Sequence, residues 1–193
     1  MRAQSARRTR VCPGETSRER GPPVNSQSLR IERTSDMAAI RRLGVACGLD
    51  DSARGDEDVY AAWGGFEGDD LVGAIVLERL LDLDTVNWMA VEEAHRGRGL
   101  ASRLYAALEH EAHERGMLRL WVTARAPGFF VAQGYRPVAP GAQAETLLGE
   151  CPQCEQYGRG CTPQALFKDL DDTRPDDGPT IKGETWRDRD CTI

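Results

Sequence analysis

The sequence predicts a mixed α/β sheet protein built around one main domain, and three observations carry that prediction. Short apolar runs of strand length alternate with stretches of helical period between Leu29 and Val138. From Gly99 to Glu114, Leu100, Leu104, Leu108 and Ala112 recur every fourth position, which draws one apolar stripe down a helix. Glycines, prolines and acidic turn residues separate these stretches at plausible element boundaries.

Taken in order, Leu29 and Ile31 alternate with Arg30 and Glu32, a short strand. Asp36 is a helix cap, and Ile40, Leu43 and Cys47 follow at helical spacing. Val59 to Phe66 and Leu71 to Leu77 are apolar runs joined by Glu67-Gly68-Asp69-Asp70, a hairpin signal. Thr85 to Val91 is a further strand. The striped helix ends at Gly116, and Leu118 to Val122 is the next strand. Pro127 opens a short helix through Gln133, Gly134 caps it, and Tyr135 to Val138 begins a last strand. The order is strand, helix, three strands, helix, strand, helix, strand.

The chain of 193 residues carries 25 Lys+Arg and 31 Asp+Glu, a net charge of −6, with 40% apolar and 29% charged residues. That is the balance of a globular protein with polar ends. Its longest uncharged apolar run, Leu71 to Leu77, is far too short to span a membrane. A mildly acidic total argues against a broad nucleic-acid surface. Residues 1–28 hold six arginines against Glu15 and Glu19, with Pro13, Pro22 and Pro23, and read as a basic, disordered extension. Residues 171–193, with seven acids and four bases, read as a flexible polar tail. The two ends contribute +4 and −3 to the total of −6, so the middle carries −7. Six cysteines without a secretory apolar segment suit a reducing cytoplasm.

The segment richest in chemistry runs from Asn87 to Ala101. A strand ends there, a loop with Gly97 and Gly99 follows, and the amphipathic helix begins. Free N–H groups and the positive end of a helix dipole favour a phosphate or pyrophosphate. The two glycines let an anion approach the backbone, and Arg96 and Arg98 add charge at the rim. A tight turn with solvated arginines is the plainer alternative. The glycine spacing is not that of a dinucleotide fingerprint.

Arg96-x-x-Gly99-x-Ala101, following Ala90-Val91, resembles the acyl-CoA signature of the GNAT N-acetyltransferase superfamily. Phe129 to Tyr135 resembles the aromatic-x-x-x-Gly-aromatic ending of that family, and the element order is also similar. The resemblance covers residues 29–140 and implies a mostly antiparallel central sheet flanked by helices, a GNAT-like acyl-CoA-binding fold. It implies that backbone groups of Met89, Ala90 and Val91 pair with the pantetheine of acetyl-CoA, one N–H facing the thioester oxygen. It further implies that amides of Arg96, Gly97, Arg98, Gly99, Leu100 and Ala101 cradle the pyrophosphate, and that Phe129 and Phe130 flank the thiol end. Members often pair as homodimers through their last strands.

One departure from the family stands out. Many members place a tyrosine, the acid for the departing thiolate, where this chain has Phe130. A water, or an inward-turned Tyr135, are the substitutes. Candidates for the base are Glu78 at a strand end, Asn87 through a water, and Thr123; a solvated strand-end carboxylate is the plainer reading of Glu78. His110 and His113, interleaved with Glu109, Glu111 and Glu114, read as a wet helix face, and His95 as a packing or capping residue. Trp63, Trp88 and Trp121 fall on strands and read as core.

Residues 141–170 form a cysteine-bearing extension. Cys151-Pro152-Gln153-Cys154, with Cys161 seven positions on, leaves three readings open: a structural zinc site lacking an evident fourth ligand, a labile disulfide with a spare thiol, or packed thiols. Ala165 to Leu170 reads as a helix lying over the acceptor cleft, and some amino-acid-acetylating GNAT branches have a similar ending. The expected function is therefore acetyl transfer from acetyl-CoA to a primary amine of a small molecule, an amino acid among the candidates, by direct attack in a ternary complex. The rivals are a non-catalytic acyl-CoA sensor and a metal-organised interaction protein.

Overall fold

A computed structural model describes residues 29–49, 58–149 and 151–170. The basic extension, the polar tail, Trp186 and Cys191 lie outside the described residues.

The strands are β1 (Arg30–Arg33), β2 (Val59–Glu67), β3 (Asp70–Leu80), β4 (Leu83–Val91), β5 (Arg119–Ala124), β6 (Arg136–Pro137) and β7 (Gln164–Asp169). The helices are α1 (Met37–Ala46), α2 (Leu100–Glu114), α3 (Pro127–Ala132) and α4 (Ala142–Leu148). They form a seven-stranded sheet in the order β1-β2-β3-β4-β5-β7-β6. Every pairing is antiparallel except β4 with β5. The mixed, mostly antiparallel sheet flanked by helices is thus the observed fold.

Alternation along the strands assigns the two faces. Ile75, Leu77, Leu120 and Val122 join α2 and α3 in the main core, with Leu100, Leu104, Leu108 and Ala112 at 0–1% exposure. Each fully buried leucine contributes about 1.5–3 kcal/mol, so packing rather than propensity holds α2 on the sheet. Its start sits unusually close: a Cβ at Gly65 or Gly73 would lie 2.7 or 2.9 Å from Leu100. On the opposite face, α1 packs Met37, Ile40 and Leu43 against Ala74, Val76 and Trp88. There too, α4 presses Leu147 onto Trp121 and Ala165. Trp88 and Trp121 are core residues as expected, and Trp63 is partly buried against the main core.

One expected element is different. Residues 164–169 are a strand, not a helix, and they enter the sheet between β5 and β6. Leu166 belongs to the α2 face while Ala165 and Phe167 belong to the α4 face. A strand apolar on both faces shows no clean alternation, and six such residues suit either period. Among the described residues no helix is long and apolar enough to cross a membrane.

Candidate functional site

The parallel pairing of β4 and β5 is short. Its register runs from Thr85↔Trp121 to Val86↔Val122 and stops. Beyond it the strands splay, and a cleft of about 80 Å³ opens between them, lined by Asn87, Trp88, Met89, Thr123, Ala124, Arg125 and Phe130. Beyond Val86 the outer edge of β4 has no ladder partner in β5, and Trp88 and Met89 line the cleft.

A β-bulge sets which side chains face it. Val76 pairs with Asn87 and Ala74 with Ala90, so Ile75 alone opposes Trp88 and Met89. Trp88 accordingly adopts φ +47°, a left-handed conformation that is costly for a bulky residue. Two neighbours hold it. The Trp88 N–H donates to Asn87 Oδ1 at 2.8 Å, and the indole lies on the bare face of Gly44, where a Cβ would sit 2.6 Å from Trp88 Cε3. The bulge shifts the alternation by one. Val86 and Met89 both point into the α2 core, while Asn87 and Trp88 both line the opposite face.

On that opposite face a pocket of about 220 Å³ adjoins the splay, lined by Glu78, Asn87, Trp88, Thr123, Arg125 and Leu147 among others. Glu78 is not a solvated strand-end residue; it is 5% exposed, and its Oε1 accepts from Asn87 Nδ2 at 2.7 Å. The two candidates for proton handling therefore share one hydrogen bond on one pocket wall. Thr123, the third, is committed elsewhere: its hydroxyl donates to Leu147 O and ties α4 to β5. Arg125, unremarked in the sequence, directly follows β5, lines both cavities and donates to Gly48 O. Only its place beyond a strand that splays marks it, and that is not a local signal.

At the far end of β4 lies the glycine loop. Gly97 and Gly99 have φ +69° and +76°, and a Cβ on either would meet nothing within 4 Å. Side chains do not plug this corner. Gly99 caps α2 without a side-chain acceptor, so the first amides of the helix remain donors toward the loop. Arg98 is exposed at the rim, whereas Arg96 turns inward and its Nε donates to Val91 O at 3.0 Å. Arg96 thus steadies the strand end as well as supplying charge. His95 is buried beneath the loop, its Nε2 3.2 Å from Glu67 Oε2 and its Nδ1 3.3 Å from Glu92 Oε2, a packing role. Phe130 is 5% exposed at the base of the splay, with Phe129 edge-on to it.

Tyr135 does not reach the cleft. Its hydroxyl lies 3.4 Å from that of Tyr105 in the α2 core, and Tyr105 donates to Glu109. Burial pushes both phenols well above their ordinary range. His110 and His113 are exposed, as expected of a wet helix face, but Glu111 is buried and pairs with Arg33 and Arg115.

The zinc expectation is not supported. Among the described residues no group of three or more His, Cys, Asp or Glu could hold a metal ion. Cys151, Cys154 and Cys161 are thiols that instead line the wall of the 220 Å³ pocket.

Residues 55–137 match the family model for the acetyltransferase (GNAT) domain. Among solved structures, a GNAT-family acetyltransferase from Staphylococcus aureus is similar with TM-score 0.55 at 11% identity, over 74% of this chain and 99% of that one. A Bacillus subtilis acetyltransferase in complex with CoA gives TM-score 0.55 at 18% identity, over 74% and 99%. N-acetylglutamate synthase from Neisseria gonorrhoeae, complexed with coenzyme A and N-acetyl-glutamate, gives 0.53 at 18%, over 74% of this chain and 35% of that one. No curated protein matches the sequence.

Proposed function

We propose a function from one premise, that the chain carries a GNAT-superfamily acetyltransferase domain: it moves acetyl from acetyl-CoA to the primary amine of a small, amino-acid-like acceptor. The observation that carries this reading is the continuity of three spaces. An open glycine corner, a splayed strand pair and a pocket bearing Glu78 and Arg125 follow one another along β4 and β5.

Bound acetyl-CoA supplies the activated acetyl group as a thioester. Amides of Gly97 to Ala101 hold its diphosphate at the start of α2, with Arg98 at the rim. The ladder-free edge of Met89 and Ala90 takes the pantetheine. The Val91 carbonyl accepts from Arg96 Nε and from the Cys47 thiol, which fixes the end of β4 beside that edge. A backbone N–H at the bulge faces the thioester oxygen, where one fixed donor is worth about 2.7–4 kcal/mol.

Glu78 takes the proton of the incoming ammonium, directly or through a water held by Asn87, so that a neutral amine attacks the thioester carbon and the thiolate leaves. A water relays to the departing thiolate the proton that the attacking nitrogen loses as the amide forms, because Phe130 has no proton to give and the Tyr135 hydroxyl is turned into the α2 core. Arg125 donates to the carboxylate of an amino-acid-like acceptor at the pocket wall. The pocket, at about 220 Å³, is smaller than sites for drug-sized ligands, roughly 300–1,000 Å³, which supports a compact acceptor.

Free thiol released from acetyl-CoA, scored against a broad panel of amines with the full chain, tests the reading. Turnover concentrated on α-amino acids supports it. Phe130 and the buried Tyr135 favour a second reading, a non-catalytic acyl-CoA sensor; tight coenzyme binding with no turnover on any amine selects that one.

A further inference from the structure

Residues 151–163, between α4 and β7, form the outer wall of the acceptor pocket. Cys151, Cys154 and Cys161, together with Gln156 and Pro163, line the cavity that Glu78 and Asn87 line from the sheet. Both ends of this wall are fixed. Thr123 anchors α4 through Leu147 O, and β7 lies inside the sheet.

Main-chain bonds fold the wall into a tight loop that brings two of its cysteines toward each other. Tyr157 N–H donates to Cys154 O at 3.0 Å, Cys161 N–H to Gln156 O at 3.0 Å, and Gly158 N–H to Cys161 O at 2.8 Å. Tyr157 and Cys161 thereby form a bridge. Cys154 and Cys161 are thus both tied to the turn at Tyr157, Cys154 through its carbonyl and Cys161 through the bridge.

We propose that Cys154 and Cys161 form a reversible disulfide that reshapes the wall of the acceptor pocket and makes acetyl transfer redox-gated. The gating rests on the acceptor reading given above; the disulfide itself does not. A low-molecular-weight disulfide such as glutathione disulfide is the oxidant. One cysteine attacks it and releases one thiol; the second cysteine attacks the mixed disulfide and releases the other. Two protein thiols are oxidised, one small disulfide is reduced to two thiols, and the protons of the cysteines leave on those thiols. The new bond holds the Cβ atoms roughly 3.5–4.5 Å apart. A wall pinned at both ends then moves toward Glu78 and Asn87. Burial pushes the Cys161 thiol upward, with Arg125 opposing, so less of it is thiolate and it attacks a disulfide slowly.

The full chain is poised in glutathione buffers, alkylated and cleaved after arginine. Cleavage at Arg159 separates Cys154 from Cys161, so a disulfide shows as two peptides held together. The expected result is that link in the wild type and in C151S, and its loss in C154S and C161S. Turnover of the best amine falls by about 100-fold on oxidation, the scale on which small displacements at an active site act. Coenzyme A affinity stays the same, reduction restores turnover, and in C154S the oxidised-to-reduced ratio returns to one. No link, a link that survives C154S, or a link without loss of turnover overturns the proposal. If the link forms but the reduced protein acetylates no amine, the acceptor reading has failed and the gating with it, while the disulfide stands on its own readout.

Discussion

Replacing Gly44 by Ala pits helix propensity against the geometry of the bulge. Gly44 lies inside α1, and alanine there favours the helix by about 0.5–1 kcal/mol. The added Cβ, however, would sit 2.6 Å from Trp88 Cε3 and 2.7 Å from Cζ3, with Leu49 Cδ1 at 3.4 Å. Carbon contacts relax at about 3.5–4.0 Å, so the indole must retreat by about 1 Å. Trp88 is 8% exposed and has little room to do so. Overpacking of this kind costs about 1–3 kcal/mol, leaving a net loss of about 0–2.5 kcal/mol. The larger effect is local. Trp88 holds its left-handed backbone beside Asn87, so displacement of the ring rotates the peptide that faces the thioester. A 1 Å error at reacting groups costs about 100-fold, and kcat/KM is expected to fall on that scale while Tm drops by only a few degrees. Thermal unfolding and steady-state kinetics on one preparation decide it. A Tm that rises while kcat/KM holds would refute the coupling between α1 and the bulge.

Gly99→Glu places a carboxylate in the diphosphate corner and a side chain at φ +76°; calorimetry should show coenzyme A binding abolished with the fold retained. Glu78→Gln keeps the Asn87 hydrogen-bonding partner but removes the base, and kcat is expected to fall by about 10²–10⁴-fold with coenzyme affinity unchanged. Arg125→Gln should raise KM for amines that carry a carboxylate and leave KM for carboxylate-free amines alone. Buried Tyr105 and Tyr135 keep their protons above their ordinary value of 10.0, whereas the unfolded chain releases them there. Above that pH the folded state binds more protons, so stability falls as pH rises; denaturant titrations of Tyr135→Phe should show a shallower fall.

Local signals marked the half of the candidate site built from contiguous chain. The stripe Leu100, Leu104, Leu108 and Ala112 became the buried face of α2, and the two glycines before it took the positive φ that an open corner needs. The acceptor half was less legible because its geometry is not local. A period-two reading of Thr85 to Val91 puts Asn87 on the same face as Met89 and Val91; the bulge at Trp88 moves it to the other face, beside Glu78. Nothing in the sequence counts that extra residue. Glu78 read as a solvated strand end because the β3–β4 turn falls later, at Leu81 and Asp82, and α4 with its following loop covers the carboxylate. The same loop carries the cysteines, whose spacing suggested a metal but whose positions line a wall. β7 was misread for the opposite reason to α2: two buried faces erase the period that one buried face displays.

The insertion of β7 between β5 and β6 also fixes when the sheet can be finished. During synthesis β5 emerges some forty residues before its antiparallel neighbour, so its outer row of amides and carbonyls has nothing to zip against until Gln164–Asp169 leaves the ribosome. β6, two residues long, cannot substitute, since it touches the sheet only through β7. The nascent chain therefore carries an unsealed seam beside the candidate site, open to mispairing with another copy until β7 itself has left the ribosome.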